Sequence, residues 1–94
     1  YNLPMITWDE PKRRENLRKH GIDLADCEVI FDTPLATTED DREAYGEQRL
    51  QSLGLFYGVV VFLVWVDRPA APHLISVGKA KRHEERRYWE TIGH

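Results

Sequence analysis

An unbroken apolar run at residues 59–66 (VVVFLVWV) is the feature that most constrains the fold. Most of its residues are β-branched or aromatic, the types that pack well on a pleated surface. A strand with one face in water would alternate with polar residues, and this run does not. It is far shorter than the roughly 20 apolar residues of a membrane span. Gly58 precedes the run, and Asp67, Arg68 and Pro69 close it. The run therefore predicts a central strand with both faces of its sheet covered, and no membrane association.

The first half of the chain predicts a short strand at 5–8 followed by two helices. Asp9 is a favourable N-cap for a helix over 10–20, which Gly21 can end in a left-handed conformation. Leu17 is nearly the only large apolar residue of this helix, so we expect the helix to contact the core only through Leu17 and the aliphatic stems of its basic residues. Asp23 is expected to cap a second helix over 24–31. The core-facing stripe of this second helix consists of Leu24, Cys27, Ile30 and Phe31.

The second half predicts strands that meander and a closing helix. A possible strand at 35–38 leads through an acidic turn at 39–47 to a strand at 47–53. A hairpin turn at 54–58 then enters the apolar run, and a further strand follows at 73–77. A helix over 80–92 is anchored by Tyr88, Trp89 and Ile92. The fold class is therefore α+β, an antiparallel meander sheet with helices packed on it. Length predicts one domain over 5–94, with 1–4 as upstream or added residues.

Charge is unevenly distributed along the 94 residues. The formal net charge of -3 argues against a generally basic nucleic-acid binder. Of the 13 Lys and Arg residues, however, five lie in 12–19 and five in 79–87. If these segments converge, they form a local positive patch. Cys27 is the single cysteine and excludes an internal disulfide, which fits a reducing compartment. No signal-peptide pattern is recognisable, so we expect a cytoplasmic protein.

Several segments together resemble the BrnT toxins. They are 8–12 (WDEPK), 16–21 (NLRKHG), 29–34 (VIFDTP), 46–49 (GEQR), 75–76 (IS), 79–80 (KA) and 84–88 (EERRY). The resemblance implies a RelE-like ribonuclease fold and a type II toxin that inhibits translation by cleaving RNA. It also implies a BrnA-like antitoxin, a heterotetramer of the two proteins, and operator DNA contacted only through the antitoxin.

The chain departs from the family pattern at three positions. His73 and Gly78 stand where the family usually has arginines, and Glu85 replaces an arginine of the final helix. Lys79 could supply a cation beside Gly78, but a lysine cannot reproduce a bidentate guanidinium. A second hypothesis is therefore a catalytically weakened member that binds the antitoxin and acts as an operon co-repressor. A third is a single-strand RNA binder unrelated to toxins.

The chemistry of metal-free RNA cleavage selects the candidate residues. The reaction needs a base for the 2′-hydroxyl, an acid for the leaving oxygen, and fixed positive charge on the phosphate. The catalytic candidates are Arg49, Arg68 and Lys79 for the phosphate, His73 for acid–base work and Glu47 as base. The RNA-binding candidates are Lys12, Arg14, Lys81 and Arg82.

Each candidate also has a structural interpretation. Arg49 and Arg68 could form surface salt bridges with Glu47 or Asp67. Cys27 is expected to be a buried small hydrophobe. Tyr45, Tyr57, Tyr88 and Trp89 could stack on bases, although the last two are typical anchors of a terminal helix. One cysteine and no paired His or Cys spacing predict no metal and no cofactor.

Overall fold

A computed structural model describes residues 6–40 and 46–93. Within them, the elements are β1 (Thr7–Trp8), α1 (Glu10–His20), a 3₁₀ helix (Leu24–Asp32), β2 (Ala36–Asp40), β3 (Arg49–Phe56), β4 (Val59–Asp67), β5 (Pro72–Lys79) and α2 (Arg82–Ile92). The five strands form one mixed sheet in the order β1-β5-β4-β3-β2, which confirms the α+β class. Strands β2 to β5 are an antiparallel meander, and β1 runs parallel to β5. The features expected at Met5, at Tyr45 and in the middle of the acidic turn lie outside the described residues.

The apolar run is the central strand β4, as expected. It is hydrogen-bonded to β3 on one side and β5 on the other. Its side chains alternate between two cores because successive residues of a strand point to opposite faces. Val61, Leu63 and Trp65 pack with residues of the 3₁₀ helix, whereas Val60 and Phe62 pack with Tyr88 of α2. A different helix therefore packs on each face of β4, with α2 covering the Val60 end of its face.

Helix α1 is held by a polar contact, and the expectation that Leu17 anchors it is wrong. Leu17 is 44% exposed, whereas Asn16 is only 4% exposed. The Asn16 amide donates to the backbone oxygens of Val77 and Ile22, each at 2.9 Å, and its oxygen accepts from the Val77 N–H at 3.0 Å. Strand β1 pairs with β5 only at His73 and Leu74, so the edge at Val77 needs another partner. Asn16 supplies it and fixes α1 along β5.

Two glycines expected to interrupt strands lie inside them. The hairpin turn is at Tyr57 and Gly58, and Gly54 belongs to β3. A Cβ at Gly54 would come within 2.7 Å of Leu35 Cδ2 and 2.8 Å of Ile30 Cγ2. Gly78 continues β5, where a Cβ would meet His20 Nδ1 at 3.0 Å. These glycines allow neighbouring side chains to pack closely against the strand. From the sequence alone, a glycine of this kind cannot be distinguished from one that forms a turn.

Other differences concern the ends of several elements and the type of one helix: β2 extends to Asp40, into the expected acidic turn, and β3 spans Arg49–Phe56 and not 47–53. The segment after Asp23 is 3₁₀, although Asp23 caps it as expected by accepting from the Ala25 N–H at 3.0 Å. The final helix begins at Arg82 and not at residue 80, because the Ala80 N–H donates to the Val60 oxygen at 3.0 Å and extends the sheet contact.

Candidate active site

One row of residues crosses four strands and forms the floor of a cleft. Arg49 pairs with Val66, Val66 with His73, and His73 with Thr7. Paired residues on neighbouring strands point to the same face, and strands lie about 4.8 Å apart, so the backbones of Arg49 and His73 are roughly 10 Å apart. Val66 is on the α2 face, but α2 packs near the opposite ends of β3 and β4. The cleft is lined by Asp9, Lys12, Glu47, Arg49, Val66, Arg68, His73 and Ile75.

A β-bulge shapes the wall of this cleft. The register between β4 and β5 shifts between Val64 and Trp65, which leaves Ile75 without a directly opposed residue. The extra residue allows Leu74 and Val77, three positions apart, to enter the same core, while His73 and Ile75 line the cleft. Bulges re-aim side chains in this way. The sequence did not predict this bulge, because the pattern of residues 73–77 fits a regular strand equally well.

The His73 ring is hydrogen-bonded at Nδ1 and faces a carboxylate at Nε2. The residue is 6% exposed, and its Nδ1 lies 2.7 Å from Thr7 Oγ1. Its Nε2 lies 3.7 Å from Asp9 Oδ2, beyond hydrogen-bond range but within that of an ion pair. Asp9 occupies the N-cap position, as expected, yet its side chain makes no capping hydrogen bond. Sequence reasoning missed Thr7 and the cleft-facing role of Asp9, since no pattern links residue 7 to a residue 66 positions later.

Arg68 is locked to Glu47 across the cleft mouth. Arg68 Nε and Nη2 donate to the two carboxylate oxygens, each at 2.9 Å, and neither bond uses Nη1. The hydrogen bonding from Arg68 lowers the pKa of Glu47, and that carboxylate in turn raises the pKa of Arg68. Glu47 is therefore ionised and a weak base while the pair is intact. The pair is exposed and contributes little to stability.

Four of the nine site candidates do not reach this cleft. Lys79 pairs with Val61, six residues along β5 from His73, which is about 20 Å in an extended strand. Lys81 and Arg82 lie two and three residues after Lys79, at that same end. Arg14 faces away from Lys12 because residues two apart on a helix do not share a face, and it contacts Glu10 at 3.9 Å. The expectation that the two basic segments converge in one pocket is thus wrong for the C-terminal segment.

The aromatic and sulfur candidates lie elsewhere too. Tyr88 is fully buried and its hydroxyl donates to the Pro34 oxygen at 2.9 Å, as befits a helix anchor. Tyr57 is 74% exposed, but at the hairpin tip far from the cleft. Cys27 is fully buried, as expected, and burial raises the pKa of its thiol to about 12. A thiol of that pKa is not a nucleophile near neutral pH.

A second groove runs between α2 and strands β2 and β3. Arg87 is the one charged side chain that lines it, and its other walls are neutral. It offers much less fixed charge to a phosphate than the first cleft does. Within residues 6–40 and 46–93, no three His, Cys, Asp or Glu side chains are grouped so as to hold a metal ion. None of the helices in these segments is long and apolar enough to cross a lipid bilayer.

Comparison with known protein families agrees with the resemblance seen in the sequence. The family model described as "Ribonuclease toxin, BrnT, of type II toxin-antitoxin system" matches residues 8–84. No curated protein matches the chain. The matched range contains every residue of the cleft. The chain therefore belongs to the BrnT family, the ribonuclease toxins of type II toxin–antitoxin systems, whose members have an antitoxin as partner.

Proposed function

We propose that this chain is an endoribonuclease that cleaves RNA in the cleft without a metal ion and thereby inhibits translation. The observation that carries the proposal is the meeting of Lys12, Arg49 and Arg68 around the buried imidazole of His73. These residues come from α1, β3, the segment after β4, and β5. Cations gathered from separate elements create a fixed field for an anion, which is the larger part of catalysis in phosphoryl chemistry.

The proposed reaction is attack of the ribose 2′-oxygen on the adjacent phosphorus. The P–O2′ bond forms while the P–O5′ bond breaks, so a proton leaves the 2′-hydroxyl and another reaches the 5′-oxygen. Arg49 and Arg68 hold the non-bridging oxygens, whose negative charge grows in the transition state. Lys12 holds a neighbouring phosphate of the strand. Arg68 can first bind the phosphate through Nη1, which does not take part in its hydrogen bonds to Glu47.

His73 is the proposed acid, and Glu47 is the proposed base. The protonated ring gives its Nε2 proton to the leaving 5′-oxygen. Glu47 becomes a stronger base as Arg68 turns toward the phosphate, because its low pKa comes first from the hydrogen bonds of Arg68. Substrate binding and activation of Glu47 would then be one event.

We further propose a BrnA-like antitoxin as the partner, in a heterotetramer that reaches operator DNA through the antitoxin alone. An acidic or amphipathic antitoxin segment would neutralise the toxin by occupying the cleft, whose cations attract negative charge. The site of action is the cytoplasm, where mRNA is accessible.

One observation favours the second hypothesis, a weakened enzyme that serves as an antitoxin-binding module and co-repressor. Asp9 and Glu47 oppose the three cleft cations, so the cleft has a formal charge of only +1 with His73 neutral. Two carboxylates this close to a phosphate weaken its binding. This hypothesis predicts antitoxin binding without RNA cleavage.

The deciding experiment uses the purified chain, free of antitoxin, with an mRNA transcript in the presence of EDTA. We expect cleavage that EDTA does not abolish, and growth arrest when the chain is expressed alone in a bacterial host. The double variant Arg49→Ala/Arg68→Ala should lose both. The matched control, Lys79→Ala/Lys81→Ala, removes two cations at the other end of β5 and should keep both. Intact RNA with the wild-type protein, together with a stable antitoxin complex, would instead establish the second hypothesis.

A further inference from the structure

The N-cap residue of α1 leaves its capping role unused. Asp9 has the extended backbone of an N-cap, φ -96 and ψ 134, yet no hydrogen bond runs from its side chain to the helix. An aspartate that caps a helix typically stabilises it by about 1 kcal/mol. Asp23, the other N-cap aspartate of the described residues, does accept from Ala25. The Asp9 carboxylate lies instead 3.7 Å from His73 Nε2.

Strand β1 is two residues long and places a hydroxyl on the other side of the same ring. Its register with β5 sets Thr7 directly beside His73. The Thr7 hydroxyl lies 2.7 Å from Nδ1 and can donate to that nitrogen or accept from it. The ring nitrogen therefore keeps a partner whether or not it carries a proton. This matters because the His73 side chain is only 8% exposed and has little access to water.

We infer that Thr7 and Asp9 are positioning residues for His73, forming a Thr–His–Asp relay that holds Nε2 toward the cleft; the inference rests on the proposed function. When the ring is protonated, Nδ1–H donates to Thr7 and the Asp9 carboxylate stabilises the positive charge. When it is neutral, the proton stays on Nε2 beside Asp9, and the Thr7 hydroxyl donates to Nδ1. The other charged groups that line the cleft around the ring are Lys12, Glu47, Arg49 and Arg68. The Asp9 carboxylate lies within 4 Å of Nε2, in ion-pair range.

The first test replaces the Thr7 hydroxyl and measures the ¹⁵N resonances of the His73 ring. In Thr7→Val, a near-isosteric change, the ¹⁵N resonance of neutral His73 Nδ1 should move downfield, because it loses a hydrogen-bond donor. Thr7→Ser should restore the wild-type resonance, and Thr38→Val, at an exposed residue of β2 outside the cleft, should leave it unchanged. Identical His73 resonances in Thr7→Val and the wild type would overturn the inference, whatever the RNA assay shows.

The second test measures cleavage kinetics of the same proteins. Thr7→Val should lower kcat about 10-fold with KM within about 2-fold, since misorientation of an acid affects the chemical step more than binding. Thr7→Ser should recover most of the loss. Equal losses of kcat in Thr7→Val and Thr7→Ser would contradict the role of the hydroxyl. A wild-type protein that cleaves no RNA would refute the proposed function, while the ring resonances would still decide the relay.

The third test asks whether Asp9 acts on His73 or only caps α1, by comparing Asp9→Ala with the same substitution at the capping residue Asp23. Asp9→Ala should leave Tm within about 1 °C while it lowers kcat, because the carboxylate makes no capping bond to lose. Asp23→Ala should lower Tm by a few degrees and leave kcat unchanged, since Asp23 accepts from Ala25 and pairs with Arg13 outside the cleft. A drop in Tm with unchanged kcat in Asp9→Ala would show that Asp9 is structural.

Discussion

The two ends of strand β5 both carry cations, but they differ in how the chain assembles them. At the Lys79 end, Lys79, Lys81 and Arg82 are near neighbours in sequence, and all three are exposed. At the His73 end, Lys12, Arg49 and Arg68 are separated by many residues and surround a buried imidazole. A run of basic residues spreads over a surface because consecutive side chains diverge. A site for an anion requires cations that face one another across a cleft.

The carboxylates distinguish the two ends further. At the His73 end, Glu47 holds Arg68 by two hydrogen bonds and Asp9 faces the ring. At the Lys79 end, the Glu84 carboxylate accepts from the Lys81 backbone N–H at 2.8 Å and serves as a helix cap. The same residue type thus restrains a cation in one place and stabilises a helix terminus in the other. In the cleft, the carboxylates lie beside the cations and offset part of their charge. At the Lys79 end, the cations are exposed to solvent.

The largest expected effect separates the two ends by single substitutions. Arg68→Ala should reduce RNA cleavage by about 10²-fold or more, because it removes a fixed donor to the phosphate in the transition state. Lys79→Ala should change the rate by less than about 3-fold. Single-turnover cleavage of one RNA substrate measures both. Similar losses in the two variants would mean that the ends do not differ in function.

The second-largest expected effect concerns the hydrogen-bonded contact between α1 and β5, on which the geometry of the cleft depends. Asn16→Ala leaves the Val77 N–H and the Val77 and Ile22 oxygens without their partner, so we expect a loss of about 2–4 kcal/mol in the free energy of unfolding. Gln48→Ala, which removes an exposed amide, is the control and should change stability by less than about 0.5 kcal/mol. Chemical denaturation measures both. Equal stability of the two variants would exclude Asn16 as the anchor of α1.

A smaller effect tests whether carboxylates restrain the cleft. Glu47→Gln removes the negative charge that pairs with Arg68 and raises the formal charge of the cleft by one, so a non-cleavable 2′-O-methyl RNA should bind about 3- to 10-fold more tightly at low salt. Glu85→Gln makes the same charge change on the exposed surface of α2 and should have less effect. Fluorescence anisotropy at several salt concentrations measures both. Equal gains in RNA affinity would mean that only the net charge of the protein matters and not the position of the carboxylate.

The smallest effect is the pH dependence of the Arg68–Glu47 pair. The hydrogen bonding from Arg68 lowers the pKa of Glu47 below its ordinary 4.5, so folding is favoured by the ionised pair above that pH. The contribution is lost as the pH falls through the lowered pKa, when the folded protein also takes up the proton. The stability difference between wild type and Glu47→Gln should therefore be small at pH 6 and decrease further as the pH falls below the ordinary pKa of 4.5. A difference that grew toward low pH would contradict the ion pair.

Local patterns determined the elements of this protein. The apolar run at 59–66 predicted the central strand, and Asp9, Gly21 and Asp23 marked helix ends correctly, because turn and cap preferences act over a few residues. The BrnT resemblance, confirmed by the family match over 8–84, also came from the sequence. Four of the five catalytic candidates, Arg49, Arg68, His73 and Glu47, do line one cleft, although their catalytic roles stay predictions.

Tertiary structure decided which charges meet. His73 begins the predicted strand and Lys79 follows it by two residues, and the length of β5 puts them about 20 Å apart. Thr7 reaches His73 through a parallel pairing between distant segments, and Asn16 docks α1 through the backbone of Val77. Such contacts depend on strand register and on unpaired backbone groups, which no local pattern encodes. The sequence thus determined the parts and the family, whereas the register of the sheet determined the site.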